Sequence, residues 1–320
     1  KVSVLMGETS AEKDVSLKTG NAVLNACLKL GYKARPVYFN GDYEFILSDL
    51  QYSDIVFNAL HGTIGEDGTI QSWLDKNNIV YTGSGPESSK LCMDKNKSKK
   101  IIYNNNFLTP EWYVLEQVDK RINDNIKNSI AFPCIVKPNA QGSTFGLSIA
   151  NNDFELKEAI KLAAKYDDII LIEDYIIGRE ITVGILDGKS LPIVEIIPDH
   201  HLYDYECKYS PGKSQYLCPA EIGPSHEKKI KKDSEKIFKI LGCSGYGRID
   251  FLLDEKGRHF FLEINTLPGM TSTSLLPIAA NESGRSFEKL IENIIDISVE
   301  KWTMIFSKKL DIFISQIDYE

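Results

Sequence analysis

At the N-terminal end of the chain, short apolar runs alternate with apolar stripes at helical spacing. Val2 to Met6 reads as a buried strand. Ala22, Val23, Ala26, Cys27 and Leu30 then recur on one face of a helix that Gly31 is placed to cap. Pro36 to Phe39, Ile55 to Leu60 and Ile79 to Tyr81 read as further buried strands, with Ile70, Trp73 and Leu74 marking a helix between the last two. This alternation predicts βαβ units around a parallel sheet.

The pattern changes near Cys92. A lysine-rich stretch from Asp94 to Lys100 leads to a strand at Cys134 to Lys137, a Gly/Ser/Thr loop and another strand. Leu156, Ala159, Ile160 and Ala163 form one helix face, followed by a strand at Ile169 to Glu173 and a turn at Ile177 to Arg179. A third segment carries strands at Ile181 to Leu186 and Pro192 to Ile197, a polar stretch around residues 199–218 and a helix from about 225 to 241. It ends with a hairpin spanning 246–265 and a C-terminal helix bearing Phe287, Leu290, Ile291 and Ile294. The expected architecture is α/β in three domains, at 1–91, 92–178 and 179–320, and no internal repeat is present.

The hairpin carries the densest chemistry. In Gly247-Arg-Ile-Asp-Phe-Leu-Leu-Asp-Glu-Lys-Gly-Arg-His-Phe-Phe-Leu-Glu-Ile-Asn265 the turn signal lies at Asp254 to Gly257, and a four-residue loop pairs Leu253 with Arg258. That register sets Asp250 opposite Phe261 and Arg248 opposite Glu263. With side chains alternating in period two, Arg248, Asp250, Glu263 and Asn265 then share one face. Two carboxylates and an amide oxygen on a rigid sheet suit a hard divalent ion that also bridges nucleotide phosphates. The competing reading is a solvated, salt-bridged face, and an odd loop length would break the argument.

Two further loops are candidates. Lys137-Pro-Asn-Ala-Gln-Gly-Ser-Thr-Phe-Gly146 lies between strands, with backbone N–H groups able to wrap phosphate oxygens, though such loops are also ordinary turns. Leu60-His-Gly-Thr-Ile-Gly-Glu-Asp-Gly-Thr-Ile-Gln71 follows a buried strand at the carboxyl end of the sheet, where ligands of open α/β sheets sit, and His61 is either a ligand group or a capped loop residue. Pro211-Gly-Lys-Ser214 looks like the tail of a Walker A loop, but Cys207 stands at its first glycine, so it reads as a mobile loop. Gly7-Glu-Thr-Ser-Ala-Glu12 is not the glycine fingerprint of a dinucleotide oxidoreductase. Neither His200-His201 nor the run Lys228, Lys229, Lys231, Lys232 receives a role.

Composition narrows the class. Hydrophobic residues make up 42% and charged residues 26% of 320, as in folded globular proteins. The formal charge of −8 argues against an extended nucleic-acid footprint. No apolar run approaches the ~18 residues of a membrane span, Lys1 to Met6 lacks a signal-peptide core, and the six cysteines form no C-x-x-C pair. A reduced, cytoplasmic setting is expected, with neither a disulfide framework nor a zinc site.

Taken together, the motifs resemble the D-alanine–D-alanine ligase family of the ATP-grasp superfamily, from Val4 to about Ile295. The carrying segments, in the family's order, are Ser10-Ala-Glu-Lys-Asp-Val-Ser16, His61-Gly with Gly65-Glu-Asp-Gly68, Tyr81-Thr-Gly-Ser84 and Met93-Asp-Lys95. They continue with Val136-Lys-Pro138, Gln141-Gly-Ser143, Tyr205-Glu-Cys-Lys-Tyr209, Gly247-Arg-Ile-Asp250 and Glu263-Ile-Asn-Thr-Leu-Pro-Gly-Met-Thr271. The resemblance implies an N-terminal Rossmann-like substrate domain, a central lid domain and a C-terminal catalytic domain, working as a homodimer. It implies ATP with Mg²⁺, two ions of it or Mn²⁺ in its place, and formation of D-alanyl-D-alanine for peptidoglycan through a D-alanyl phosphate.

By the same resemblance, Lys95, Lys137 and Lys208 bind nucleotide phosphates, Glu173 and Glu180 hold adenine and ribose, and Asp250, Glu263 and Asn265 ligate magnesium. Arg248 and the Gly269 N–H stabilise the oxyanion. Glu12 binds the first D-alanine's ammonium with His61 nearby, Ser143 and Tyr209 join Glu12 in closing the lid, and Ser274 and Leu275 receive the second D-alanine. Three departures stand out: Glu8 replaces a usual glycine, Gln141 a usual glutamate, and the segment after about 295, with Trp302, has no counterpart. The rivals are D-Ala–D-Ser and D-Ala–D-Lac ligases, the latter disfavoured by Tyr209 after Lys208, and a nucleotide-binding regulatory protein without turnover.

Overall fold

The computed structural model describes residues 1–7, 12–116, 129–198 and 214–317, with side chains as far as residue 308. The described residues form three sheets. The first is parallel, in the order β2-β1-β3, from β1 (Val2–Gly7), β2 (Ala34–Phe39) and β3 (Ile55–Asn58). Ile79 to Tyr81 does not form a strand of its own. Only Tyr81 bridges to Val56, in parallel, so this segment is a single rung at the sheet edge.

Helix α1 (Lys13–Lys29) packs on β1 so closely that a Cβ at Gly20 would lie 2.6 Å from the Met6 Cβ. Gly31, at φ +82°, closes α1: its N–H donates to the Leu28 carbonyl and the Tyr32 N–H to the Cys27 carbonyl, each at 3.0 Å. Helices α2 (Tyr43–Gln51), α3 (Thr63–Glu66), α4 (Thr69–Lys76), α5 (Pro86–Met93) and α6 (Lys95–Asn104) follow. Asp94 caps α6 by accepting from the Lys97 N–H.

The second sheet is antiparallel, in the order β4-β7-β5-β6, from β4 (Trp112–Glu116), β5 (Cys134–Pro138), β6 (Ser148–Ala150) and β7 (Ile169–Asp174), with α7 (Asp153–Ala163) on one face. Leu115, Cys134, Val136, Leu156 and Ile172 give it a small core of its own. The third sheet, β10-β9-β8-β11-β12, comprises β8 (Arg179–Leu186), β9 (Lys189–Pro198), β10 (Ser214–Leu217), β11 (Tyr246–Leu253) and β12 (His259–Asn265). Helix α8 (Pro224–Ile240), together with α5 and α6, buries Cys92, Ile102, Ile237 and Phe238 against Ile249, Phe251 and Phe261 of this sheet.

Helices α9 (Leu275–Glu282) and α10 (Phe287–Ile317) complete the chain. Leu276, Ala280, Leu290 and Ile294 join Val4 and Met6 of β1 to Leu191 and Val194 of β9 in one apolar cluster. This continuous core couples the first and third sheets, whereas the second sheet keeps its own. The far part of α10 is a docked helix: Trp302 is 7% exposed and packs with Leu60, Ile70 and Tyr81.

The hairpin register differs from the sequence expectation. Leu253 pairs with His259, not Arg258, so the connection from Asp254 to Arg258 is odd in length. Carried straight through, that register would turn Glu263 and Asn265 away from Asp250. A bulge at Leu262, between the pairs Phe251↔Phe261 and Asp250↔Glu263, adds one residue to β12 and restores the parity. Arg248 therefore opposes Asn265 and Asp250 opposes Glu263, and all four lie on one face.

Candidate active site

Strands β11 and β12 put this face between two cavities. One, of about 420 Å³, lies where the second and third sheets face each other and is lined by Lys95, Lys137, Glu173, Glu180, Asp250 and Glu263. Leu252 and Leu262 supply part of its apolar wall, so the bulged residue contributes surface as well as parity. The other cavity, of about 310 Å³, is lined by Glu12, His61, Ser143, Arg248, Asn265, Gly269, Ser274 and Leu275.

Asp250 is the hub. Arg248, two residues back on the same strand, grips it with Nε at 2.9 Å and Nη2 at 2.8 Å. Asn265 Nδ2 donates at 3.0 Å, and Thr182 Oγ1 on the neighbouring β8 at 2.5 Å. A bidentate guanidinium–carboxylate pair is both strong and directional, so the Arg248 fork is held on one heading at the junction of the cavities. Across the strand pair, Glu263 accepts from Lys95 Nζ at 3.0 Å. Lys95 Nζ also donates to the Gln141 carbonyl at 2.8 Å, tying the glycine-rich loop to the hairpin. At this departure from the family pattern, the contact uses the backbone and not the side chain that changed.

Glu173 is buried and takes Lys99 Nζ at 2.7 Å on one oxygen and Lys137 Nζ at 2.9 Å on the other. Burial alone would raise its pKa. Lys137 and Lys99 outweigh it and hold the carboxyl below the usual range. The Lys99 ammonium is itself fully buried, 5.0 Å from the centre of the Trp112 ring. Burial pulls its pKa down to about 8 against the upward pull of Glu173. Sequence reading singled out Lys137 and Glu173 but not Lys99 or Thr182. Lys99 sits in a polylysine stretch whose helical phase does not announce which lysine turns inward.

The second cavity is closed by a contact between distant parts of the chain: Ser143 Oγ, in the glycine-rich loop, donates to Glu12 Oε1 at the start of α1. Ser143 and Thr144 both have positive φ, at 51° and 63°, a backbone form that costs non-glycine residues energy and fixes where the Ser143 hydroxyl lies. His61 Nε2 is 3.0 Å from Thr19 Oγ1, and its Nδ1 lies 3.6 Å from Glu66, whose carboxylate accepts the Gly62 N–H at 3.1 Å. Thr19 also accepts the Met270 N–H at 3.4 Å, which pins the segment after β12 to α1. Ser274, the N-cap of α9, accepts the Thr271 N–H at 3.1 Å. Lys208, Tyr209 and Glu8 lie outside the described residues. Thr19 and Glu66, absent from the sequence-based set, line this cavity too.

Two facing antiparallel sheets that enclose a nucleotide-sized cavity, with the Lys137–Glu173 pair on one wall and Glu180, Asp250 and Glu263 on the other, define the ATP-grasp class of enzymes. The family model for the D-ala D-ala ligase C-terminus matches residues 102–296, and that for the D-ala D-ala ligase N-terminus matches residues 47–84. The chain belongs to the D-alanine–D-alanine ligase family and is a ligase of its kind. It is 42% identical over 301 residues to a D-alanine–D-alanine ligase of Geobacter sulfurreducens, covering 94% of each chain. A solved Bacillus anthracis D-alanine–D-alanine ligase complexed with ATP superposes with a TM-score of 0.83 at 35% identity, over 93% of this chain and 97% of that one. The D-Ala:D-Ser ligase VanG of Enterococcus faecalis superposes with a TM-score of 0.80 at 27% identity, over 93% and 98%.

Proposed function

We propose that this site joins two D-alanines at the expense of ATP, giving D-alanyl-D-alanine, ADP and phosphate for peptidoglycan synthesis, in the cytoplasm and as a homodimer. The observation that supports this most is the position of the Arg248–Asp250 pair: it lies between a nucleotide-sized cavity and a polar cavity large enough for two small amino acids.

ATP is assigned to the larger cavity, its phosphates against Lys95, Lys137 and Lys208 and its adenosine toward Glu173 and Glu180. The donor set of Asp250, Glu263 and Asn265 fits a hard divalent cation, since all three offer oxygen from paired strands. Bound there, Mg²⁺ would neutralise phosphate charge and polarise the γ-phosphoryl group. In the smaller cavity Glu12 holds the first D-alanine's ammonium, leaving its carboxylate toward the nucleotide. A carboxylate oxygen attacks the γ-phosphorus, the bond to ADP breaks, and an acyl phosphate forms. The amine of the second D-alanine, after losing a proton, attacks the carbonyl carbon. Arg248 and the Gly269 N–H stabilise the oxyanion, and the C–O bond to phosphate then breaks. The Ser143–Glu12 bond keeps water from the acyl phosphate.

The test is ADP release and product mass with D-alanine, D-serine and D-lactate offered in parallel. D-Alanyl-D-alanine as the main product supports the reading. Preferred mixed products transfer the assignment to a D-Ala–D-Ser or D-Ala–D-Lac ligase, and the absence of ADP release with every substrate indicates a regulatory nucleotide-binding protein.

A further inference from the structure

Outside the two cavities of the site, Cys92 in the last turn of α5 and Cys243 in the short connection from α8 to β11 stand with their sulfurs 3.4 Å apart, hydrogen-bonded across 151 positions of sequence. Both are free thiols, and among the described residues no other two sulfurs come within hydrogen-bonding distance. A disulfide holds its sulfurs at about 2.05 Å, so a bond between these two asks them to approach by roughly 1.3 Å more.

The backbone on either side is already fastened. The Ser244 N–H donates to Ser84 Oγ at 3.1 Å, and Ser244 Oγ donates to the Gly83 carbonyl at 3.2 Å, so the segment entering α5 is held against the one entering β11. Gly245, at φ +74°, lets the two run so close that a Cβ there would lie 3.4 Å from the Gly83 Cα. Side-chain torsion is left to supply the remaining approach of the sulfurs.

The two cysteines are unequal. Cys92 is buried, and its hydrogen bond to Cys243, reinforced by that burial, pushes its thiol up, so it keeps its proton. Cys243 is half-buried, and a cavity of about 680 Å³ opens beside the pair, lined by Leu91 next to Cys92 and by Gly242 and Ser244 on either side of Cys243. A small solute therefore meets Cys243 first.

We propose that Cys92 and Cys243 form a reversible oxidation site, which a peroxide converts into a disulfide that staples α5 to the base of β11. Peroxide transfers one oxygen to Cys243 Sγ, its O–O bond breaks and water leaves, giving a sulfenic acid. Cys92 Sγ then attacks Cys243 Sγ: the S–S bond forms, the S–O bond breaks, and a second water carries off the hydroxyl with the Cys92 proton. The two thiols lose two electrons and the peroxide gains them, and a small thiol reverses the change by exchange. The bond closes a loop that contains the whole second sheet together with β8, β9 and β10. Neither cysteine lines a cavity of the site, so the staple uses no group of the ligase chemistry.

The test treats the full chain with hydrogen peroxide, alkylates the remaining thiols and maps the digest by mass. A peptide pair joined through Cys92 and Cys243, with two of the six thiols lost and both recovered by dithiothreitol, is expected. The oxidised chain should unfold at a urea midpoint higher by about 1 M than the reduced chain, since the closed loop is long. Cys243→Ser should abolish both the cross-link and the midpoint shift. Cys92→Ala should leave Cys243 as a sulfenic acid that dimedone traps. The mapping is made on the unaltered chain and holds whether or not either variant folds. Cys92 and Cys243 both still open to alkylation after peroxide, or either joined to another cysteine such as Cys207, overturns the site, and a cross-linked chain with an unshifted midpoint overturns the staple.

Discussion

The Ser143 hydroxyl reaches across 131 positions of sequence to the Glu12 carboxylate, and it does so from a residue whose φ is +51°. Backbone strain and hydrogen bond thus work in opposite directions on stability. Ser143→Gly removes both. It should leave the melting temperature unchanged or slightly raised, since glycine relieves roughly 1 kcal/mol of left-handed strain, while turnover falls more than tenfold. Thermal denaturation and initial rates on the same preparations check this. A variant less stable and equally active would mean that the bond is structural only.

Arg248 and Asp250 stand two residues apart on one strand with both guanidinium arms engaged. Arg248→Lys keeps the charge and loses the fork, so Asp250 stays held by Asn265 and Thr182 while the cation, gripped at one point instead of two, is free to wander. Turnover should fall by at least a hundredfold with little change in the KM for ATP. A loss confined to the ATP KM would remove Arg248 from the oxyanion role.

Glu263 takes its place through a bulge, and its role as a metal ligand is open to a direct check. Glu263→Ala should weaken Mg²⁺-dependent nucleotide binding and lower turnover by orders of magnitude with the circular dichroism spectrum unchanged. Phosphate release near the parental level would sink the assignment.

The hairpin shows how far the sequence was legible. Period-two alternation correctly grouped Arg248, Asp250, Glu263 and Asn265, yet the register behind that grouping was wrong by two compensating features: a loop one residue longer than expected and a bulge at Leu262. Neither has a local signal, because Leu262 is an ordinary strand residue with no glycine or proline beside it to mark a bulge. The parallel sheet was legible from its apolar runs, as was the Gly31 cap. Strand β4 and helix α2 were not, since Trp112–Glu116 is half-buried and Tyr43–Gln51 carries only two buried residues, Ile46 and Leu50. Lys99 escaped because a buried lysine is identified by its partners, Glu173 and Trp112, which lie far from it in sequence.

Trp302 answers what the segment beyond residue 295 does. Its Nε1–H donates to the Tyr81 carbonyl at 2.9 Å, and the two rings meet edge-on with centroids 5.2 Å apart. Lys301, next to it, donates to the Gly83 carbonyl at 2.9 Å. The helix therefore clamps the edge rung of the first sheet, adjoining the loop that leads to α5. Trp302→Ala should cost about 3–5 kcal/mol in urea denaturation, whereas Trp302→Phe, which keeps most of the packing, should cost far less. Equal stability in the two variants would show that the indole N–H, and not the ring volume, is what matters.

The buried triad of Lys99, Glu173 and Lys137 gives the protein a specific pH response. In the folded state burial brings the Lys99 pKa down to about 8 from a usual 10.5. Between those values the unfolded chain holds a proton on this lysine that the folded chain has released, so this group makes stability rise with pH across that window. The sign for Glu173 is the reverse at the acid end. Its folded pKa is lowered, so its contribution is present above the ordinary value of 4.5 and is lost as pH falls through the folded value. Lys99→Met deletes the first effect and weakens the second, because Glu173 keeps only Lys137. Urea midpoints measured from pH 3 to 10 should therefore diverge in two places. The parent should gain on the variant as pH rises above about 8, and the variant should lose its stability at a higher pH than the parent on the acid side. Its midpoint near pH 7 should also be lower, since half of the compensation for a buried carboxylate has gone. Parallel pH profiles for parent and variant would show that Lys99 is not buried as a charged partner of Glu173.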